Sequence, residues 1–328
     1  MATEAEFRAA AKRVSNWGRW GDDDQIGCLN FITDEKVAEA AKLATSGRVF
    51  SLGVDFDLNG PQSPAVPFRW NPMHFVSVGG DYSTDKPYVN ASPDPRAQMI
   101  SGLFDSGLLR INDDFVIMPL QAATQWDALS HAYYDDAMYN GVHPRAVTPY
   151  GAARLGIETY AEKGVVSRGV LVDVAAARGV DVIRYEDDPI EPEEIERILA
   201  KQGTQLGRGD ILIVRTGWWQ HFAKTGDHAF QNNGLSWRCA EWMHQLELAA
   251  VAADNVNVEG DRIQVEGVFL AMHLLCLRDM GMPLGELWNL EALAADCAAD
   301  GRYEFLIVAP PLRVTGAVGT PLNPVAIK

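Results

Sequence analysis

The sequence predicts one α/β domain with a mixed β core and flanking helices, and three observations carry that prediction. Apolar runs of strand length at residues 169–174, 210–215 and 249–253 alternate with helical patterns through the second half. The 328 residues, 47% hydrophobic and 22% charged, are enough to bury a sizeable core and exclude wholesale disorder. Between them lies a stretch rich in Gly, Pro, Asn and Ser, which adds β structure and ordered loops to the α/β pattern.

The elements follow in order. A charged helix spans 4–15, and an aromatic, Gly-rich turn region follows with Asp22, Asp23 and Asp24, a solvated acidic turn that lacks calcium-loop spacing. Thr33 is an N-cap candidate for a second helix reaching Leu43. Residues 49–56 alternate like a strand, and 57–110 read as long loops or hairpins. After the strand at 169–174, a helix over 190–201 opens with Pro192, Glu193 and Glu194 at its positive end. The strand at 210–215 runs into a turn, Thr216-Gly217-Trp218. An amphipathic helix over 237–248 leads into the strand 249–253. A helix over 284–297, a strand at 303–308 and a Pro/Gly-rich tail complete the chain. No internal repeat is present, so we expect one domain over 1–328 with an extended N-terminal region of about 1–110.

The formal net charge of −16 and the absence of any Lys/Arg run argue against a nucleic-acid partner and leave a small-molecule substrate as the expected ligand. The charge itself serves surface solubility. Cys28, Cys239, Cys276 and Cys297 lie far apart without metal-ligand spacing and read as packed free thiols. With no run of eighteen apolar residues and no apolar leader, no membrane partner and a cytoplasmic location are expected.

Chemistry concentrates in residues 119–131. If extended, Gln121, Gln125, Asp127 and His131 share one parity and point to one face; if helical, Gln121 and Gln125 still align. Two amide oxygens, a carboxylate and an imidazole could converge on a metal ion, and a hydrogen-bonded polar strand is the alternative. No nucleophile elbow, dinucleotide loop or phosphate loop is present. Asp254 and Glu259 could work as an acid/base pair, although nothing in the sequence fixes their geometry.

This segment, Gln121-Ala-Ala-Thr124-Gln125-Trp-Asp127-Ala-Leu-Ser-His131, resembles the signature His-x-Gly-Thr-His-x-Asp-x-Pro-x-His of the cyclase family of metal-dependent hydrolases, which includes kynurenine formamidase and isatin hydrolase. Thr124, Asp127 and His131 match, while both metal-binding histidines are Gln. Flanking segments over most of 110–320 also resemble the family, with the N-terminal part looking like a larger branch. The resemblance implies a swivelling β/β/α domain and a homo-oligomer, dimer or tetramer.

It further implies one divalent ion, manganese or zinc, held by Gln121, Gln125, Asp127 and His273, with Glu286 near a family ligand position. Amide oxygens are harder and weaker donors than imidazole, which leaves a metal-free site as the other possibility. His131 would act as the base with Asp127, and Trp70, His74, Trp126 and Arg215 would line or anchor the substrate. Core packing for the Trp residues, strand-end capping for Arg215 and a helix-dipole role for Glu286 are the structural alternatives. The implied activity is hydrolysis of a lactone, imide or N-acyl amide through a metal-activated water. The alternatives are a metal-free lactone hydrolase, isomerase or dehydratase, or a silent ligand-binding protein.

Overall fold

The computed structural model describes residues 1–63, 66–78, 94–96, 99 and 112–328; the remainder of the expected loop region at 57–110 lies outside the described residues. The strands in chain order are β1 (Val49–Ser51), β2 (Met73–Val78), β3 (Asp113–Ile117), β4 (Gln125–Asp127), β5 (Val147–Thr148), β6 (Gly151–Ala152) and β7 (Val166–Asp173). They continue with β8 (Ile211–Arg215), β9 (Ala250–Ala253), β10 (Leu284–Glu286), β11 (Glu304–Val308), β12 (Gly319–Pro321) and β13 (Val325–Ile327).

Nine of them form one mixed sheet in the order β1-β13-β11-β7-β8-β9-β10-β4-β12. The central four, β7 to β10, are parallel, and antiparallel strands extend the sheet on both sides. Parallel strands are covered on both faces, so they read as unbroken apolar runs. Ile211 to Val214 and Ala250 to Ala253 are accordingly fully buried.

Helices cover this sheet for legible reasons. The helix Glu4–Val14 starts at Thr3 in a capping box with Glu6, and it buries Phe7, Ala10, Ala11 and Val14. Thr33 caps Asp34–Ala41 by accepting from the Lys36 amide. Pro192–Gln202 begins with Pro at its first turn and stops at Gly203, whose left-handed backbone closes the end. All four cysteines are buried free thiols. Among the described residues no helix is long and apolar enough to cross a membrane.

Several elements differ from expectation. The strand expected over 49–56 is only β1, which pairs with β13 at the sheet edge. The helix expected over 284–297 is instead β10 followed by the helix Glu291–Asp300. The turn at Thr216 to Trp218 launches a helix, Trp218–Thr225. The tail supplies two strands, β12 and β13, and a short helix Ala271–His273 continues as a π-helical segment, Leu274–Met280. Outside the main sheet, β2 and β3 form a separate two-stranded antiparallel sheet whose Phe75 and Phe115 are 46% and 48% exposed.

Candidate metal and catalytic site

The site is built on the pairing of β4 with β10. Register places Gln125 opposite Glu286 and Asp127 opposite Leu284. Strand alternation therefore puts Gln125, Asp127 and Glu286 on one face and sends Trp126 to the other. There Trp126 packs edge-on against Trp288, with ring centroids 5.2 Å apart. Gly285 stands between them because a Cβ would come within 2.8 Å of the Trp126 ring. Thr124, which precedes β4, donates to the Leu287 carbonyl and accepts from the Val54 amide, tying the motif to the exit of β10. Glu286 ends the last parallel strand, the place where open α/β sheets receive ligands.

His273 enters from the short helix and completes the cluster. One ligand atom each from Asp127, His273 and Glu286 lie within 4.8 Å of one another, and all three residues are buried. His273 Nε2 is 3.1 Å from Glu286 Oε1 and 3.9 Å from Asp127 Oδ2. Its Nδ1 is 2.9 Å from Glu259 Oε1. Gln125 Nε2 donates to Glu286 Oε2 at 3.0 Å and to Asp127 Oδ1 at 3.3 Å. His131 lies beyond the strand with Nε2 3.9 Å from Asp127 Oδ1, and its side chain is 22% exposed, the most open of the motif groups in the cluster.

The charges respond to this crowding. Burial pushes the Asp127 carboxyl up, opposed by His131 and helped by the neighbouring Glu286 charge. Burial would raise Glu286 too, but the His273 hydrogen bond and charge, with Arg69 and His131, hold it below the usual carboxylate range. Burial alone would lower the His273 pKa; hydrogen bonds to Glu259 and Glu286 outweigh it and raise it to about 10.

A divalent cation fits this donor set. Two carboxylates and an imidazole converge, and beside them Asp127 Oδ2 and Gln125 Oε1 are buried without a hydrogen-bond donor among the described residues. Oxygen-rich sites with one imidazole suit manganese or zinc chemistry.

Sequence reasoning brought Asp127, Gln125, His131 and His273 to one place, and it gave Glu286 a possible ligand position. Glu286 sits on a strand, so the helix-dipole alternative falls away. Gln121 precedes β4 in a turn, and its Nε2 points toward Gly319 without a hydrogen-bond partner among the described residues. Trp126 is fully buried behind the sheet, where it donates to the Ala309 carbonyl, so it packs rather than lines the substrate. Arg215 is not a free anion anchor either, since its fork is spent on Glu291 and Asp173. His74 pairs with Asp114 on the exposed two-stranded sheet, and Trp70 is exposed.

Three contributors were not singled out for this cluster. Glu259 holds His273. Arg69 is half-buried and its charge acts on both Asp127 and Glu286. Gln62 donates to the Gln121 and Ala122 carbonyls and latches the N-terminal region onto the motif. Arg69 and Gln62 sit in a loop-rich segment with no periodicity, so only their polar character could have marked them. Asp254, the other half of the acid/base pair considered, accepts from the Thr216 and Gly217 amides and caps that turn.

A family model described as "Putative cyclase" matches residues 39–260. The crystal structure of a novel cyclase is 41% identical, with a TM-score of 0.82 over 97% of this chain and 99% of that one. The chain therefore belongs to the cyclase family. Isatin hydrolase A from Ralstonia solanacearum shares the fold at 16% identity, with a TM-score of 0.59 over 90% of this chain and 97% of that one. Isatin hydrolase A from Labrenzia aggregata, bound to benzyl benzoate, gives 15% identity and a TM-score of 0.56 over 89% and 97%. No curated protein matches the chain significantly.

Proposed function

We propose that this protein is a hydrolase that opens a lactone or cyclic imide, or cleaves a small N-acyl amide, with the help of one divalent ion. The observation that carries the reading is the convergence of Asp127, His273 and Glu286 beside the unpaired oxygens of Asp127 and Gln125. Those four residues would hold the ion; the set keeps Gln125, Asp127 and His273 of the expected ligands, adds Glu286 and leaves Gln121 aside. When bound, such an ion polarises a carbonyl and acidifies water.

The chain's own groups do the rest. His131, the partly open imidazole, accepts the proton of the water that adds to the substrate carbonyl. It returns that proton to the leaving nitrogen or oxygen as the C–N or C–O bond breaks. Arg69, not the substrate-anchoring Arg215 first expected, supplies the cation here and offsets negative charge on the carbonyl oxygen.

Elemental analysis of protein purified without added metal, followed by turnover of lactones, imides and N-formyl amides, tests the proposal. A stoichiometric ion lost in Asp127→Asn, together with turnover abolished in the same variant, is the expected result. Protein without any ion, and turnover indifferent to chelators, would sink it. One observation favours the metal-free alternative: the charged form of His273 already has carboxylate partners on both ring nitrogens, Glu259 and Glu286, without an ion. That second reading predicts activity in ion-free protein.

A further inference from the structure

Glu259 neither holds the ion nor moves a proton in the proposed reaction, yet its carboxylate accepts from two backbone amides and faces a ring nitrogen of His273. It is buried, and it accepts from the Met272 amide at 3.1 Å and the His273 amide at 2.8 Å. The same oxygen that takes the His273 amide also lies 2.9 Å from His273 Nδ1. A carboxylate accepts only, and both ring nitrogens face one, Nδ1 toward Glu259 and Nε2 toward Glu286; an ion taking Nε2 would leave the single ring proton on Nδ1, where Glu259 accepts it. Nε2 is the atom that faces Asp127 and Glu286.

The backbone holds Glu259 in this position at some strain. Val258, immediately before it, is a β-branched residue in the left-handed region at φ 60°, and Asn257 is at φ 71°. The loop is pinned from outside: Asn232 donates to the Val256 and Glu259 carbonyls, and the Leu235 amide donates to the Val258 carbonyl. Two other bulky residues are left-handed beside the cluster. Leu270 (φ 53°) directly precedes the helix that carries His273, and Leu287 (φ 58°) directly follows Glu286. Unfavourable backbone at these three points persists because the surroundings over-determine it, and such strain gathers where side chains must be aimed.

We infer that Glu259 is a positioning residue for a metal centre formed by Asp127, His273 and Glu286, orienting the His273 ring and fixing the tautomer that presents Nε2 to the ion. The inference rests on the metal reading proposed above. Outer carboxylates of this kind aim a ligating imidazole and raise its basicity. A purely structural role, capping the helix that begins at Ala271, is the competing explanation of the same bonds.

Glu259→Gln separates the two. With its amide oxygen at the Oε1 position it still accepts from the His273 amide, while the Met272 amide loses its acceptor and the negative charge facing Nδ1 is gone. Titration calorimetry with Mn(II) and Zn(II), beside thermal unfolding of the ion-free proteins, gives the comparison. The expected result is a loss of about 10–100-fold in ion affinity, with the ion-free unfolding temperature falling by no more than the loss of one backbone acceptor explains. Wild-type protein that binds neither ion overturns the metal reading and the inference with it. Wild type that binds, with an unchanged Glu259→Gln affinity, overturns the Glu259 role alone. Should the variant fold poorly, nitrogen-15 NMR of the Zn(II)-loaded wild type decides. A proton on His273 Nδ1 supports the assignment, and a proton on Nε2 overturns it.

Discussion

Gln125 and Glu286 stand directly opposite each other across the β4–β10 ladder, with Gln125 Nε2 3.0 Å from Glu286 Oε2. Its amide hydrogens hold two carboxylates together, a task a carboxylate at the same position could not perform. Gln125→Glu crowds a further negative charge against Asp127 and Glu286 and should destabilise the ion-free protein by about 1–3 kcal/mol. Added Mn(II) should then raise the unfolding temperature more in the variant than in wild type. Differential scanning calorimetry with and without the ion checks this; equal shifts would contradict it.

His131 is reachable from solvent, and its nearest cluster contact is 3.9 Å long. His131→Ala should therefore leave the unfolding temperature within a few degrees of wild type. Turnover, in contrast, should fall by about 10²–10⁴-fold, the usual worth of a general base. Activity within a few-fold of wild type would remove His131 from the chemistry.

Arg215 links β8 to Asp173 at the end of β7 and to Glu291 at the start of a helix, and it is nearly buried. Arg215→Met leaves two carboxylates without their cation and should cost about 3–5 kcal/mol of stability in urea unfolding. KM for any substrate found should stay unchanged. A raised KM with intact stability would restore the anchor role first expected of it.

Asp254 gives the protein a pH signature. Burial raises its carboxyl to about 6 from an ordinary 3.8, against the Thr216 and Gly217 donors that pull it down. The native state thus binds the extra proton between about pH 4 and 6, and stability is lost as pH rises through that window. The contribution amounts to about 3 kcal/mol at pH 7. Asp254→Asn cannot titrate, so the unfolding free energy of wild type relative to the variant should improve as pH falls from 7 to 4. A pH-independent difference would show that the carboxyl titrates normally.

Among the described residues β2 and β3 pair only with each other and expose apolar side chains, and an isolated two-stranded sheet is marginal in water. A homo-oligomer in which a second copy covers this arm is the expected state. Phe75→Lys with Phe115→Glu keeps the cross-strand pair in register as opposite charges. Light scattering should report a lower mass for that double variant; an unchanged mass would place the interface elsewhere.

The parallel strands were legible because full burial writes them as apolar runs, and helix starts were legible because Thr33 and Pro192 do specific backbone work. β10 was not: Leu284 and the Leu/Ala-rich stretch after it match a helical period, and only pairing with β4 and β9 makes the strand. β12 and β13 are three residues each, too short for any period to show. In the site, Gln125, Asp127 and His131 were visible through their spacing within one segment. His273 and Glu286 needed the family resemblance, and the contribution of Glu259 to the site depends on a strained loop that nothing in the sequence marks.

Trp126 and Trp288, packed on the reverse of the sheet, also make it an optical instrument. Two indoles 5.2 Å apart at 72° couple electronically, and they share β4 and the β10 exit with Asp127 and Glu286. A ligand that shifts those strands by a fraction of an ångström alters the angle between two chromophores. Occupancy of the front face can thus be followed by near-ultraviolet circular dichroism, with no label and before any substrate is known.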